Sequence, residues 1–394
     1  MSELQKSKEN IQIALLGAAH SLNHSLFVIA PPLLSLIMND LGVSKSVIGG
    51  VATIASLLYG VGALVGGPLG DRIGENRTIT VCLMFSGLST FIMLAASVMR
   101  SIYVYAVALT LMASWASLYH PTANSLISKT FKVKVAETMG LHGVGGTLGV
   151  VLTPYIAWFL GVNFGWSWAF ILFGVLCILL ALTFLKNFNK VEGRDEKSGT
   201  IIDALKIREL WALLIFNIAI GLFMKGVELF FPTYLEENRG INSMWASIAY
   251  TMLLAFGVPG QWIGGKAADK VGSKKVLITT SAGVCISLLS LLLLPAYNIG
   301  IVVFIVFYGI SFYAHQPALN SLTGFLSPQN QRGAVYGVFF FTSFGVGSLS
   351  QFIAGYLADT YGFDAAFYFL TVFALIALIL SFKIPKSSEH KRSL

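Results

Sequence analysis

Twelve long apolar runs, separated by short polar or charged breaks, leave this chain very few ways to fold. They lie at about 11–38, 46–68, 78–99, 102–127, 136–161, 166–185, 210–235, 243–266, 276–296, 299–326, 333–358 and 363–383. About 20 apolar residues in helical form span the hydrocarbon core of a bilayer. Only 11% of the residues are charged and 56% are hydrophobic, with a mean hydropathy of +0.76. A soluble domain carries roughly 25% charged residues. A cytosolic enzyme, a disordered chain and a secreted disulfide scaffold are thereby excluded. The runs are too long and too continuous for the alternating strands of a transmembrane barrel. The expectation is an all-α membrane protein of twelve transmembrane helices. Cys82, Cys177 and Cys285 all fall inside apolar runs and read as small core residues.

The basic residues orient the spans. The first run is too long for a signal-peptide core and reads as a retained helix. With an even number of spans both termini share one side of the membrane. Of the 26 Lys and Arg, 22 fall on the side of the termini, three (Lys45, Arg100 and Arg239) fall on the other, and Lys225 lies within a span. Positive charge accumulates in cytoplasmic loops, so both termini are expected in the cytoplasm, with the chain in the inner or plasma membrane. The polar stretch from Lys186 to Glu209, containing KNFNKVEGRDEKSGT, reads as a cytoplasmic linker (186–209) between two six-helix bundles, 1–185 and 210–394.

Three segments recur in the same order at an offset near 197 residues. GGPLGDRIGENR, ending at Arg77, answers GGKAADKVGSKK, ending at Lys275; YHPTANSL answers AHQPALNSL; FGWSWAF answers YGFDAAF. Internal duplication is the economical explanation. Two six-helix bundles repeated in parallel are one route to alternating access.

On these residues the chain resembles the major facilitator superfamily over nearly its whole length. The family's loop signature between the second and third spans is close to Gly-x-Leu-Ala-Asp-Arg-x-Gly-Arg-Arg. Here Gly67, Leu69, Asp71, Arg72, Gly74 and Arg77 match it, and Glu75 stands where a basic residue is usual. The second copy keeps Gly265, Asp269, Lys270 and Gly272. Independently of the resemblance, Asp71 and Asp269 at the cytoplasmic ends of the second and eighth spans are placed to accept hydrogen bonds from a helix N-terminus or a neighbouring Arg, a clasp that would favour closure of one face. Within the superfamily, the opening GAAHSLNHSLFVIAPPLLSLI and the YHPTANSL segment are most similar to fosmidomycin-resistance-type efflux proteins.

Ionisable side chains at mid-bilayer cost about 2.5–3.5 kcal/mol each on insertion scales, so they normally face a cavity or a partner. His20, Asn23 and His24 share one face of the first span, and Asn217, Gly221, Lys225 and Glu228 share one face of the seventh. Lys225 and Glu228 are spaced to pair. The fourth span adds Trp115, Tyr119, His120 and Asn124; the tenth adds Tyr313, His315, Gln316 and Asn320; the fifth adds His142. The resemblance implies that spans 1, 4, 7 and 10 line a central pathway, which makes these residues candidates for substrate and proton handling. Each has a plainer reading as helix packing or a structural ion pair. The fifth span, with Gly140, Gly143, Gly145, Gly146, Gly149 and Pro154, is suited to close packing and loosely resembles the family's antiporter signature.

The expected function is secondary active transport of a small polar or amphiphilic solute, with proton-coupled efflux by antiport preferred. The alternative is a symporter or facilitator for a small organic anion. An intramembrane enzyme fits less well because nothing explains why it should repeat its halves, and a non-transporting sensor on a transporter fold fits less well because the sequence shows no extra soluble domain. No phosphate-binding loop, cofactor or metal site is expected, and nucleic acid is disfavoured because the basic residues are spread over membrane-surface loops. A single chain supplies both repeats, so the expected working unit is a monomer in the lipid bilayer.

Overall fold

Lipid offers no hydrogen-bonding partner to the backbone, so a spanning chain must satisfy its amides internally, as helix. A computed structural model of the chain describes residues 3–131, 135–187, 200–294, 297–328 and 331–385, and among them there is no strand. The helices divide between two compact units, Met1–Val43 with Ile54–Asp195, and Ser44–Thr53 with Glu196–Leu394.

In chain order the first eight helices are α1 (Glu3–Val28), α2 (Leu34–Leu41), α3 (Lys45–Ile73), α4 (Glu75–Met99), α5 (Ile102–Ala116), α6 (Tyr119–Thr130), α7 (Val135–Phe164) and α8 (Trp166–Asn187). The remainder are α9 (Ile201–Leu205), α10 (Trp211–Glu237), α11 (Ser243–Ala255), α12 (Gly257–Val271), α13 (Ser273–Leu293), α14 (Tyr297–Leu326), α15 (Arg332–Phe340), α16 (Leu349–Tyr361) and α17 (Phe363–Lys383). A π-helical turn, Phe341–Gly345, and a 3₁₀ turn, Val346–Ser348, join α15 to α16.

Eleven spans among the described residues are long and apolar enough to cross a membrane. The twelfth expected span, at 243–266, is instead two helices that part at Phe256. Pro259 explains the break: it has no N–H to give the carbonyl of Ala255, and its ring crowds that carbonyl. Pro121 stands in the same relation to Ser117, where α5 gives way to α6. Of the polar stretch at 186–209, residues 188–199 lie outside the described residues, while Thr200 caps α9 in a reciprocal capping box with Asp203.

The sequence repeat reappears in each unit as the same local geometry. Gly42, Gly74 and Gly165 have φ of 64°, 94° and 101°, and their counterparts Gly240, Gly272 and Gly362 have 66°, 89° and 86°. Gly74 and Gly272 sit where one spanning helix turns into the next, in a backbone region that side chains with a Cβ rarely adopt. Close packing repeats too: Gly62 and Gly66 seat α3 against the chain at Ser117 and Leu118, as Gly260 and Gly264 seat α12 against Ile310 and Ala314 of α14. The start of α3 packs within the second unit, where both carboxylate oxygens of Asp359 accept from the backbone N–H groups of Lys45 and Ser46, at 3.1 and 2.8 Å.

Candidate functional site

In each unit the described residues bring several candidate polar side chains together. In the first, α1 lies against α7 because Gly145 brings the two backbones together: a Cβ there would stand 2.3 Å from the carbonyl oxygen of Gly17. One residue on, a Cβ at Gly146 would stand 2.5 Å from the ring of His20. The small residues of α7 therefore act as a seat for α1 and for this histidine. His20 Nδ1 donates to the carbonyl oxygen of His142 at 2.7 Å, and the two imidazoles stack with centroids 3.9 Å apart and planes 9° from parallel. His142 Nε2 lies 3.1 Å from the Tyr119 hydroxyl, which itself donates to the carbonyl of Leu16 at 2.9 Å.

His24, one turn along α1, and His120, on α6, complete the group. Ring centroids are 4.6 Å apart for His20–His24 and 5.1 Å for His20–His120 and His24–His120. Four of the chain's six histidines thus meet at one place, although the sequence distributes them over three helices. Asn23 faces the same region but donates its amide to the carbonyl of Ala116 at 2.9 Å, which ties α1 to α5. Trp115 stacks on Phe85 at 4.9 Å, and the side chain of Asn124 is exposed.

In the second unit the expected face of α10 lies against irregular backbone. Asn217 donates to the carbonyl of Phe339 at 2.7 Å and to the Thr342 hydroxyl at 3.0 Å; Gly221 abuts Ser343 and Gly347. Lys225 donates to Glu228 at 2.8 Å and its ammonium stands 4.2 Å over the ring of Phe344. The Lys225 side chain is 9% exposed and that of Glu228 is 28% exposed, so only the acid is open to exchange with its surroundings. Tyr250, Tyr308 and Tyr313 lie within electrostatic range of Glu228. His315 turns back on its own helix and donates to the carbonyl of Phe312. Gln316 accepts from Gln261 at 3.3 Å, and Asn320 is exposed, its backbone carbonyl accepting from Tyr336.

In the repeated loop motif, Gly67 has open space around it, Arg72 and Arg77 are exposed, and the side chain of Asp71 lies outside the described residues. In the second copy Asp269 and Lys270 are exposed, and Gly265 meets only Pro317. The anchored residue here is the one that departs from the family's pattern. Glu75 is buried, accepts from Ser125 at 2.9 Å and pairs with Lys129, fastening α4 to α6. Its signal was the departure itself, an acid where the pattern has a base. Tyr250, Tyr308 and Phe344 were passed over, since aromatic residues in apolar spans carry no distinguishing mark in one sequence.

The family model for the Major Facilitator Superfamily matches residues 13–351. The D-galactonate transporter of Escherichia coli O6:H1 is 23% identical over 87% of this chain and 87% of its own length. The fosmidomycin resistance protein of Escherichia coli K12 is 22% identical over 98% of this chain and 96% of its own. Among solved structures, a bacterial homologue of the human lysosomal transporter Spinster, inward-facing and unoccupied, is 16% identical with a TM-score of 0.78, covering 98% of both chains.

Proposed function

Since this chain belongs to the major facilitator superfamily, whose members are multi-pass membrane transporters, we propose that it is a proton-coupled secondary transporter that exports a small polar or amphiphilic solute by antiport. The observation that carries this reading is the Lys225–Glu228 pair, a buried lysine of a spanning helix joined to a part-exposed acid one turn on. Either charge alone would be costly at that depth, so the pair is stable only while both are ionised and joined. Protonating Glu228 removes the partner of Lys225. A solute that offers a donor to the ionised, part-exposed Glu228 carboxylate competes there with a proton: protonation discharges the acid and releases the solute, and deprotonation restores the site. Proton and solute then occupy the pair in turn, the order that antiport requires.

The likeness to a fosmidomycin resistance protein supports export. The excess of basic residues on the side of the termini supports a cytoplasmic location for both ends, in an inner or plasma membrane. One chain carries both repeats, which supports function as a monomer. A second reading, proton symport of a small organic anion, draws support from the likeness to a D-galactonate transporter and from the cationic Lys225.

Proteoliposomes loaded with a pH-sensitive dye test the coupling, using solutes first selected by their thermal stabilisation of the purified protein. Solute addition moves protons in the wild type. Glu228→Gln and Lys225→Ala abolish that movement while the proteins remain folded by their melting curves. Wild-type rates in both variants would reassign the pair to packing. Proton entry accompanying an anion on the same side favours symport, and opposed movement favours antiport.

A further inference from the structure

We propose that His20, His24 and His120 form a binding site for a divalent transition-metal ion of the zinc class. The first support is convergence: one ligand atom from each of the three imidazoles lies within 4.8 Å of the others. The second is the state of His20. Its Nδ1–H is committed to the carbonyl of His142, so its lone pair is on Nε2, and that atom is buried without a hydrogen-bond partner. The residue is 9% exposed, and a buried acceptor left unsatisfied is destabilising. A metal ion is a natural recipient for that lone pair. A ligating histidine characteristically gives its other N–H to a backbone carbonyl or carboxylate, which fixes the tautomer and raises its basicity.

The donor set selects the ion. Three neutral imidazoles suit zinc, cobalt, nickel or copper, and are poor ligands for magnesium or calcium, which take oxygen. Three histidines plus one open position is an arrangement that zinc uses where it must still bind a further group. Zinc–nitrogen bonds of about 2.0–2.1 Å in a tetrahedron place neighbouring nitrogens roughly 3.3 Å apart, so the three must draw inward on binding. His20 is held by its hydrogen bond and by α7 behind it. His24 and His120 are only half-buried and supply that movement by rotation of their side chains. His142 stands behind the site as support, its Nε2 already engaged with Tyr119.

The test uses full-length, tag-free protein in detergent, stripped with a chelator and titrated with Zn²⁺, Co²⁺ and Mg²⁺ by calorimetry and by Co²⁺ absorption. One Zn²⁺ binds per chain, Co²⁺ shows the visible spectrum of a nitrogen-ligated, low-coordinate ion, and Mg²⁺ does not compete. His24→Gln and His120→Gln, at half-buried positions where folding is retained by the melting curve, weaken Zn²⁺ at least about 10–100-fold, the loss that supporting-shell changes already cause. His315→Gln, in the other unit, leaves binding unchanged. Absence of saturable Zn²⁺ binding in the wild type overturns the proposal. So does Zn²⁺ binding that survives both His24→Gln and His120→Gln, which would place the ion elsewhere. Binding of phosphate in place of Zn²⁺, lost in the same variants, would make the cluster an anion site and overturn it equally.

Discussion

Replacing Gly145 by alanine drives a methyl group into the backbone of α1. The new carbon would stand 2.3 Å from the carbonyl oxygen of Gly17 and 2.6 Å from its Cα, where ordinary contact begins at 3.4 Å. Nothing there is the end of a flexible side chain, so the two helices must part by about 1 Å, the overpacking that costs roughly 1–3 kcal/mol or more. The His20–His142 hydrogen bond crosses the same interface at 2.7 Å. Lengthened by about 1 Å it passes beyond the usual 2.7–3.2 Å range and is lost. Against this, alanine gains about 1 kcal/mol over glycine in a helix interior, which is too little to offset the clash. Gly143 on the same helix provides the control, because a Cβ there meets nothing within 4 Å. Thermal unfolding of the two purified variants should show Gly145→Ala melting several degrees below the wild type and Gly143→Ala at or slightly above it. Equal melting temperatures for both would refute the claim that backbone contact between α1 and α7 seats His20.

Two further outcomes follow from the turns and the connecting segment. Gly74→Ala and Gly272→Ala force a Cβ onto φ of 94° and 89°, and each should lower stability by about 1–3 kcal/mol in the same melting assay. The matched size of the two losses would reflect the matched geometry of the repeats. The hydroxyl of Thr200 and the ammonium of Lys206 hold the Asp203 carboxyl below the usual carboxylate range. A depressed folded-state pKa means that its support for α9 is present above the ordinary carboxylate pKa and is lost as pH falls through the folded value. The protection of the amides at 201–205, taken as exchange relative to the intrinsic rate at each pH, should therefore fall on acidification below about pH 4, and Asp203→Asn should remove that pH dependence.

How much of this was legible beforehand depended on whether the relevant geometry lies within one helix or between two. The spans, the duplication and the shared face of Asn217, Gly221 and Lys225 were readable, because hydropathy and helical periodicity act along a single segment. The spacing of Lys225 and Glu228 likewise foretold a contact that the structure has at 2.8 Å. The glycines of α7 were readable as packing residues, whereas their service to His20 was not, since it depends on how α7 is rotated against α1. Asn23 and Asn217 were both seen as polar groups in apolar surroundings. Only the structure shows that their amides tie helices together through the carbonyls of Ala116 and Phe339. The break at Phe256 was available in principle from Pro259, but hydropathy runs straight across it and masks the kink.

The π-helical turn at Phe341–Gly345 has a consequence for everything downstream of it. Such a turn holds one residue more than an α-helical turn, and each residue of an α-helix subtends about 100°. The stretch beginning at Leu349 is therefore turned about the helix axis from where an unbroken rod would put it, the underwound π turn rotating it one way and the overwound 3₁₀ turn at Val346–Ser348 returning part of that rotation. Asn217, Gly221 and Lys225 rest against this offset, contacting it at Thr342, at Ser343 and Gly347, and at Phe344. Letting the surplus residue slip along the backbone would re-aim that span without unwinding it, and the ammonium group that lies over Phe344 would feel the change directly.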